Sequence, residues 1–216
     1  MKARDTEAAS RILEAAGAVF AERGYEGTTI REITARAKAN VAAVNYYFGD
    51  KDRLYGRVLA EACVASKIDI DSLPGRPAAR LEAFIFKFVH HLLNPGRPAW
   101  YGQVMAMEMA KPSPALDRVV KETIEPLCAS LRHLLKELAG PGFTPLEIEM
   151  MSASVIGQCL YYVQKGALIP RIYPHLHRVA DPAAHIARHV ASFTQAGLEG
   201  LKKEKKPARK PAGAKS

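Results

Sequence analysis

Apolar residues recur at three-and-four spacing through most of this chain, and no stretch sustains the period-two alternation of a half-buried strand. That pattern restricts the fold to an all-α one. Gly, Pro and capping residues cut it into about nine helical segments, with no internal repeat. The first segment is predicted from about Asp5 to Arg23, with Ala9, Ile12, Leu13, Ala16, Val19 and Phe20 on one face and Gly24 as its stop. Thr29-Ile30-Arg31-Glu32 reads as a capping box that opens a short second helix ending near Ala37. A turn of Lys38, Ala39 and Asn40 leads to a third short helix over Val41–Tyr47, and Asp50 caps a longer fourth one beginning at Lys51. Beyond the helix-breaking stretch from Asp69 to Pro77, further helices are predicted at Ala78–Leu93, Ala99–Ala110, Pro114–Leu138, Pro145–Ile169 and Pro182–Leu201. Ser113-Pro114, Thr144-Pro145 and Asp181-Pro182 each set a proline just after a capping residue, and Pro126 is expected to kink its helix.

Two short helices joined by a tight turn and held by a longer preceding helix make a tri-helical head of the kind that reads DNA. Val44 and Phe48 can bury against Ile30, Ile33 and Phe20, which leaves Val41, Ala42, Ala43, Asn45 and Tyr46 facing outward. Such a small and apolar face is a poor solvated surface but suits a major groove. Val and Ala can touch thymine methyls, and Asn45 can pair with an adenine edge. Tyr46, Tyr47, Thr29 and Lys51 are placed for phosphate oxygens, Lys51 with help from the amino end of the fourth helix. The same spacing also suits a compact piece of a helical bundle with Tyr46 and Tyr47 in its core.

Charge alone does not choose between these readings. The formal net charge is +9, but residues 202–216 hold seven Lys or Arg against Glu204, so +6 lies there and +3 remains for everything else. Lys, Pro, Ala and Gly cannot build a core, and 202–216 is expected to be a disordered basic tail. No apolar run reaches the roughly 20 residues of a membrane span. Met1-Lys2-Ala3-Arg4 runs on into Asp5 and Glu7 and is not expected to be a secretion signal. Cys63, Cys128 and Cys159 are odd in number and sit in apolar contexts, so reduced cysteines in the cytoplasm are expected.

The run from Thr29 to Ala37 and then Asn40-Val-Ala-Ala-Val-Asn-Tyr-Tyr-Phe-Gly-Asp-Lys-Asp-Arg-Leu54 resembles the DNA-binding signature of the TetR/AcrR family of repressors. The likeness covers roughly residues 8–60, and the Asn-Val-Ala-Ala-Val-Asn-Tyr-Tyr-Phe-Gly version is similar to that of the CecR-like branch. Trp100-Tyr101, Glu108-Met109-Ala110-Lys-Pro-Ser-Pro-Ala-Leu-Asp117 and Val155-Ile-Gly-Gln-Cys-Leu-Tyr-Tyr162 resemble that branch's C-terminal domain. Lys38 departs from the family pattern, which has Gly in that turn. With Arg31 and Asn40 added, the candidate DNA contacts are Thr29, Arg31, Asn40, Val41, Ala42, Ala43, Asn45, Tyr46, Tyr47 and Lys51. The resemblance implies a symmetric dimer on a palindromic operator and an effector that changes the separation of the two heads. The domain plan is then a head over 1–60, a helical effector-binding and dimerisation domain over 61–201, and the tail.

Two helices support dimerisation on their own pattern. In Pro145–Ile169, Ile148, Met151, Val155, Cys159 and Tyr162 form one stripe, while Ile156, Leu160 and Val163 form another. In the last helix Ile186, Val190 and Phe193 line one side, while Ala187, Ala191 and Ala196 permit close approach. A four-helix interface is expected, with Val155, Cys159, Tyr162, Ile186, Val190 and Phe193 as its contacts. Trp100, Tyr101, Met105, Met107 and Met109 suit a promiscuous ligand pocket, with ordinary core as the alternative. Glu108 could recognise a cationic ligand or pair with a nearby Arg, and His90, His91, Gln158 and Tyr162 could line the same cavity. His175, His177, His185 and His189 lack a Cys or paired carboxylate to complete a metal set, so no metal and no cofactor are expected. No nucleophile, phosphate-loop or redox motif occurs, so the chain is not expected to be an enzyme. The expected function is a cytoplasmic, ligand-responsive repressor with double-stranded DNA and an unidentified small molecule as partners. The alternative is an architectural helical protein that binds nucleic acid without sequence choice.

Overall fold

The computed structural model describes residues 2–63, 68–163, 171–176 and 178–205, and they contain helices and connecting turns with no strand. The elements are α1 (Lys2–Arg23), α2 (Ile30–Ala37), α3 (Val41–Phe48), α4 (Lys51–Ala62), α5 (Pro77–Leu93), α6 (Trp100–Ala110), α7 (Leu116–Val119), a π-helical turn (Val120–Ile124), α8 (Glu125–Ala139), α9 (Pro145–Tyr162) and α10 (Pro182–Lys205). They gather into two compact units. One holds the chain up to Ile68 together with Asn94–Cys128, and the other holds Asp69–Leu93 together with the chain from Ala129 onward.

In the first unit α1 buries Ile12, Ala16, Val19 and Phe20 and stops at Gly24, whose φ of +71° only glycine adopts without strain. Thr29 caps α2 through the expected box: its hydroxyl accepts the Glu32 amide, and Glu32 accepts the Thr29 amide at 2.9 Å. Phe20, Tyr25 and Tyr55 meet ring to ring, with Phe20 and Tyr55 centroids 4.5 Å apart, and Ile33 and Val44 are fully buried in the same core. The unit extends past the head, because Trp100, Val104, Ala115 and Val119 bury into that core as well. The indole of Trp100 lies so close to α1 that a Cβ on Gly17 would sit 2.4 Å from it.

The helix predicted over Pro114–Leu138 is not continuous. The Ser113 hydroxyl accepts the Ala115 amide at 3.2 Å while its own amide and hydroxyl both donate to Glu108, and α7 begins only at Leu116. The chain then widens into one π-helical turn, in which the Glu125 amide reaches back to the Val120 carbonyl. Pro126 has no amide to donate, and its ring would strike the carbonyl four residues earlier in a regular helix. A wider turn before it relieves that clash, so the expected kink takes this form.

The second unit packs α10 against α5 and α9. Its buried side chains include Leu81, Phe84, Phe88, Leu131, Leu134, Leu135, Ile148, Val155, Cys159, Ile186 and Val190. Thr144-Pro145 opens α9 with a second capping box, and Asp181 accepts the Ala184 amide at 3.0 Å to open α10. Residues 202–205 belong to α10 rather than to a basic tail, because the Lys205 ammonium pairs with Glu147 at 2.8 Å and donates to the Gly142 carbonyl. Lys205 also holds the Glu147 carboxyl down at about 2. With Tyr162 meeting His189 edge-on at the other end, the contact fixes α9 and α10 antiparallel. The remainder of the basic segment, 206–216, and the predicted end of α9 over 164–170 lie outside the described residues. Cys63 and Cys159 are buried and Cys128 is half-buried, and burial pushes the Cys159 thiol up to about 12.

Candidate nucleic-acid interface

Two caps and one unusual turn position the short helix α3. Lys38 takes a left-handed conformation (φ 50°, ψ 46°) and is the one non-glycine residue with positive φ among the described residues. Its exposed side chain does not prevent the turn, and its amide closes the end of α2 on the Ala35 carbonyl. Holding an L-residue there costs about 1–2 kcal/mol, which is why glycine is the easier choice. Asn40 then caps α3 by accepting the Ala43 amide at 2.7 Å. Its side-chain oxygen is therefore occupied by its own helix.

Val44 is fully buried, and Phe48, Ala43 and Tyr47 pack half-buried against the core. Val41, Ala42, Asn45 and Tyr46 are left as one exposed stripe, with Val41 44% and Tyr46 77% exposed. Ala43 lies at the edge of that stripe and not on it. Tyr46 and Tyr47 meet edge to face at 4.9 Å, so the outer ring is braced by the inner one. Arg31, Lys38 and Thr29 are exposed on and beside α2, although the Thr29 hydroxyl already serves the capping box. That bond and the Thr29 amide hold the Glu32 carboxyl below the usual carboxylate range. The exposed cation Lys38 was not among the expected contacts; its place in the turn between the two helices is the signal that marks it.

Lys51 is arranged differently from expectation. Its ammonium lies 4.4 Å from the centre of the Tyr25 ring, and the amino end of α4 is already capped by Asp50, which accepts the Arg53 amide at 2.7 Å. Asp52 in the same turn accepts the Tyr25 hydroxyl, which pushes that phenol up to about 12. The helix end thus carries two carboxylates, and Lys51 acts through its own charge and not through a bare helix terminus.

The candidate ligand contacts divide between the two units. Trp100 donates its indole N–H to Glu14 at 2.9 Å, Tyr101 bonds Glu61 at 3.3 Å, and Met105 packs on the core of the first unit. Burial first, and then Glu61, pushes the Tyr101 phenol up to about 12. Glu108 is buried and faces neither ligand nor Arg: it accepts from the Tyr55 hydroxyl and from the Ser113 amide and hydroxyl, all at 2.9 Å. Met109 is 80% exposed. In the second unit His90 is exposed and stacked on Phe86, while Gln158 and Tyr162 are half-buried on α9. Trp100, Tyr101, Met105, Glu108 and Met109 are therefore part of the scaffold under the head or on its surface, because α6 folds into the first unit.

Of the six expected dimer contacts, Val155, Cys159, Ile186 and Val190 are buried inside their own protomer. They are core residues and cannot face a partner. Tyr162 is half-buried, and Phe193 is 63% exposed. The apolar residues left open on these helices are Leu146, Met150, Leu160 and Tyr161 on α9, with Phe193 and Leu201 on α10.

Residues 12–58 match the model of the bacterial regulatory proteins of the tetR family, and residues 77–201 match that of the HTH-type transcriptional dual regulator CecR, C-terminal domain. The chain is 27% identical to the HTH-type transcriptional dual regulator CecR of Shigella flexneri over 175 residues, 75% of this chain and 78% of that protein. It is 53% identical to the HTH-type transcriptional repressor Rv3405c of Mycobacterium tuberculosis over 53 residues, which is 24% of this chain and only 28% of that protein. Among solved structures, HlyIIR, a hemolysin II transcriptional regulator, superposes with a TM-score of 0.57 at 25% identity, covering 86% of this chain and 97% of that one.

Proposed function

The chain belongs to the TetR family of transcriptional regulators, of CecR-like type, and on that premise we propose that it is a ligand-responsive repressor acting as a homodimer on a palindromic operator. One observation carries the proposal. The exposed stripe Val41, Ala42, Asn45 and Tyr46 sets two small apolar residues beside one amide and one phenol on a helix of eight residues, a combination that suits thymine methyls, an adenine edge and a phosphate along a major groove. Its cap at Asn40 and its brace at Tyr47 hold that stripe rigid, as base reading requires.

Homodimerisation rests on the open apolar faces of α9 and α10. Leu146, Met150, Ala153, Gly157 and Leu160 recur at four-and-three spacing on α9, all of them exposed. Phe193, Ala196, Gly197 and Gly200 do the same on α10, with small residues that permit close helix approach. These replace the buried set as the proposed partner contacts. No helix among the described residues is long and apolar enough to cross a membrane.

The two kinds of DNA contact separate in one experiment. Asn45→Ala should cost on the order of 1–3 kcal/mol on operator DNA and relax selection at one position per half-site. Lys51→Ala should weaken operator and scrambled duplex alike and lower the salt slope by about one charge. The operator is sought as an inverted repeat upstream of the gene, and both variants are titrated at two salt concentrations by fluorescence anisotropy. Equal loss on both duplexes for Asn45→Ala would show that Asn45 touches only backbone, and a wild-type chain with no preference for any site would make it an architectural binder.

A further inference from the structure

The second unit contains a cleft of about 510 Å³ formed by the end of α9, Ile172–Leu176, Val179 and the first turns of α10. That volume lies within the roughly 300–1,000 Å³ of small-molecule sites. Its polar groups are the phenols of Tyr162 and Tyr173 and the imidazoles of His175, His185 and His189. Among the described residues no Asp, Glu, Lys or Arg lines it, and the rest of the described wall is aliphatic or proline. His185 donates Nδ1–H to the Asp181 carbonyl at 2.8 Å, which fixes its ring and leaves Nε2 to serve a ligand. Tyr173 shares a hydrogen bond with Tyr161. The Tyr162 hydroxyl and the imidazoles of His175 and His189 have no hydrogen-bond partner among the described residues, though Tyr162 and His189 meet ring to ring at 5.9 Å. No three His, Cys, Asp or Glu side chains converge as metal ligands among the described residues.

We infer that this cleft binds a small organic monoanion with a largely apolar body, an aryl or alkyl carboxylate, as the effector. Among the described lining residues a cation would find no carboxylate. A phosphate or a dicarboxylate would find no guanidinium or ammonium among them to balance its charge. A single carboxylate on an apolar body meets imidazoles that can donate a ring N–H, a phenol that donates, and aliphatic walls. Expectation from sequence looked for the pocket on α6; polar heads without a hydrogen-bond partner among the described residues, those of Tyr162, His175 and His189, are here instead. The regulatory meaning rests on the ligand-responsive reading above, whereas binding is measured without DNA.

The test uses the full chain and three probes of one shape: phenylbutyrate, its neutral amide, and phenylbutylamine. Titration calorimetry and ligand-observed NMR should give the carboxylate an affinity about tenfold or more above that of the amine. His185→Gln with His189→Gln should lower carboxylate affinity about tenfold and leave the amide unchanged, because glutamine keeps a hydrogen bond and cannot become charged. Val179→Trp, at a half-buried lining position, should block all three probes and leave the oligomeric state unchanged by light scattering. If that variant does not fold, the histidine pair decides. Amine binding equal to carboxylate binding, no binding at about 10 mM, or wild-type binding by the histidine variant would overturn the assignment. So would a monomeric Val179→Trp chain, since the cleft would then seat a second copy. An effector that releases operator equally well from the histidine variant keeps the regulatory reading and removes this site. Binding without operator release keeps the site and removes that reading.

Discussion

Glutamate introduced at Val155 of α9 and at Phe193 of α10 tests which face of each helix belongs to the protomer. Val155 is fully buried. An ionised carboxylate there costs several kcal/mol even after relaxation, set against a total stability of about 5–15 kcal/mol, so the second unit should unfold or melt far below the parent. Phe193 is 63% exposed in the protomer, and an exposed substitution should move protomer stability by no more than about 0.5 kcal/mol. A phenylalanine buries about 150–250 Å², so covering its open part against a partner is worth ~3 kcal/mol per copy at 25 cal/mol per Å². Two copies per dimer give ~6 kcal/mol, and Phe193→Glu should raise the dimer dissociation constant by about four powers of ten. Light scattering over about 1–100 µM and circular-dichroism melts read the two effects separately. A Phe193→Glu chain that stays dimeric throughout, or a Val155→Glu chain that melts like the parent, would refute the division of faces.

Asn40→Ala removes the 2.7 Å cap on α3 and should cost ~1 kcal/mol in urea unfolding, with a loss of operator affinity because Val41 and Ala42 sit in the turn that frays; Asn40→Ser should restore both. Gly17→Ala should destabilise by about 1–3 kcal/mol in thermal melts despite the better helix propensity of alanine, since its methyl meets the Trp100 ring at 2.4 Å. A stabilised variant would mean the indole can step aside. Tyr25 and Tyr101 are each pushed up from 10 to about 12, and Tyr55 is pushed up by burial and by Glu108. Raised phenols favour the folded state below their unfolded value, so stability should hold below about pH 10 and fall as pH climbs toward 12. Tyr55→Phe should flatten that fall in urea midpoints measured across the range, and an unchanged slope would remove Tyr55 from the effect.

The head was legible because its signals are local. Thr29 and Glu32, Asn40, Asp50 and Gly24 each act on amides or dihedrals within a few residues, and all four behave as their residue types demand. The Lys38 turn forms without glycine because an exposed L-residue tolerates the left-handed region at modest cost. What periodicity does not carry is direction. Helix α9 has two apolar stripes, and nothing local says that Val155 and Cys159 turn inward while Met150 and Leu160 stay open. The same ambiguity placed residues 202–205 in a tail: a run of lysines reads as solvated until Glu147, 58 residues away in sequence, supplies a partner for Lys205.

The residues first assigned to a pocket on α6 have a different role, and it bears on how the head is held. Three polar bonds run from α6 into the helices of the head: Trp100 to Glu14 of α1 at 2.9 Å, Tyr101 to Glu61 of α4 at 3.3 Å, and Tyr55 of α4 to Glu108 at 2.9 Å. Arg118 of α7 adds a fourth, donating to the Asp52 carbonyl in the first turn of α4 at 3.0 Å. Tyr55 and Glu108 are buried, so breaking their bond strands a hydroxyl and a carboxylate away from water, at about 1–3 kcal/mol for each group left unsatisfied. Helix α6 therefore cannot turn about its axis without either moving α1 and α4 with it or losing these bonds. Since only two residues, Gly49 and Asp50, separate α3 from α4, any displacement of α6 is carried to the reading helix through α4, and rigid transmission rather than flexible linkage is what this packing provides.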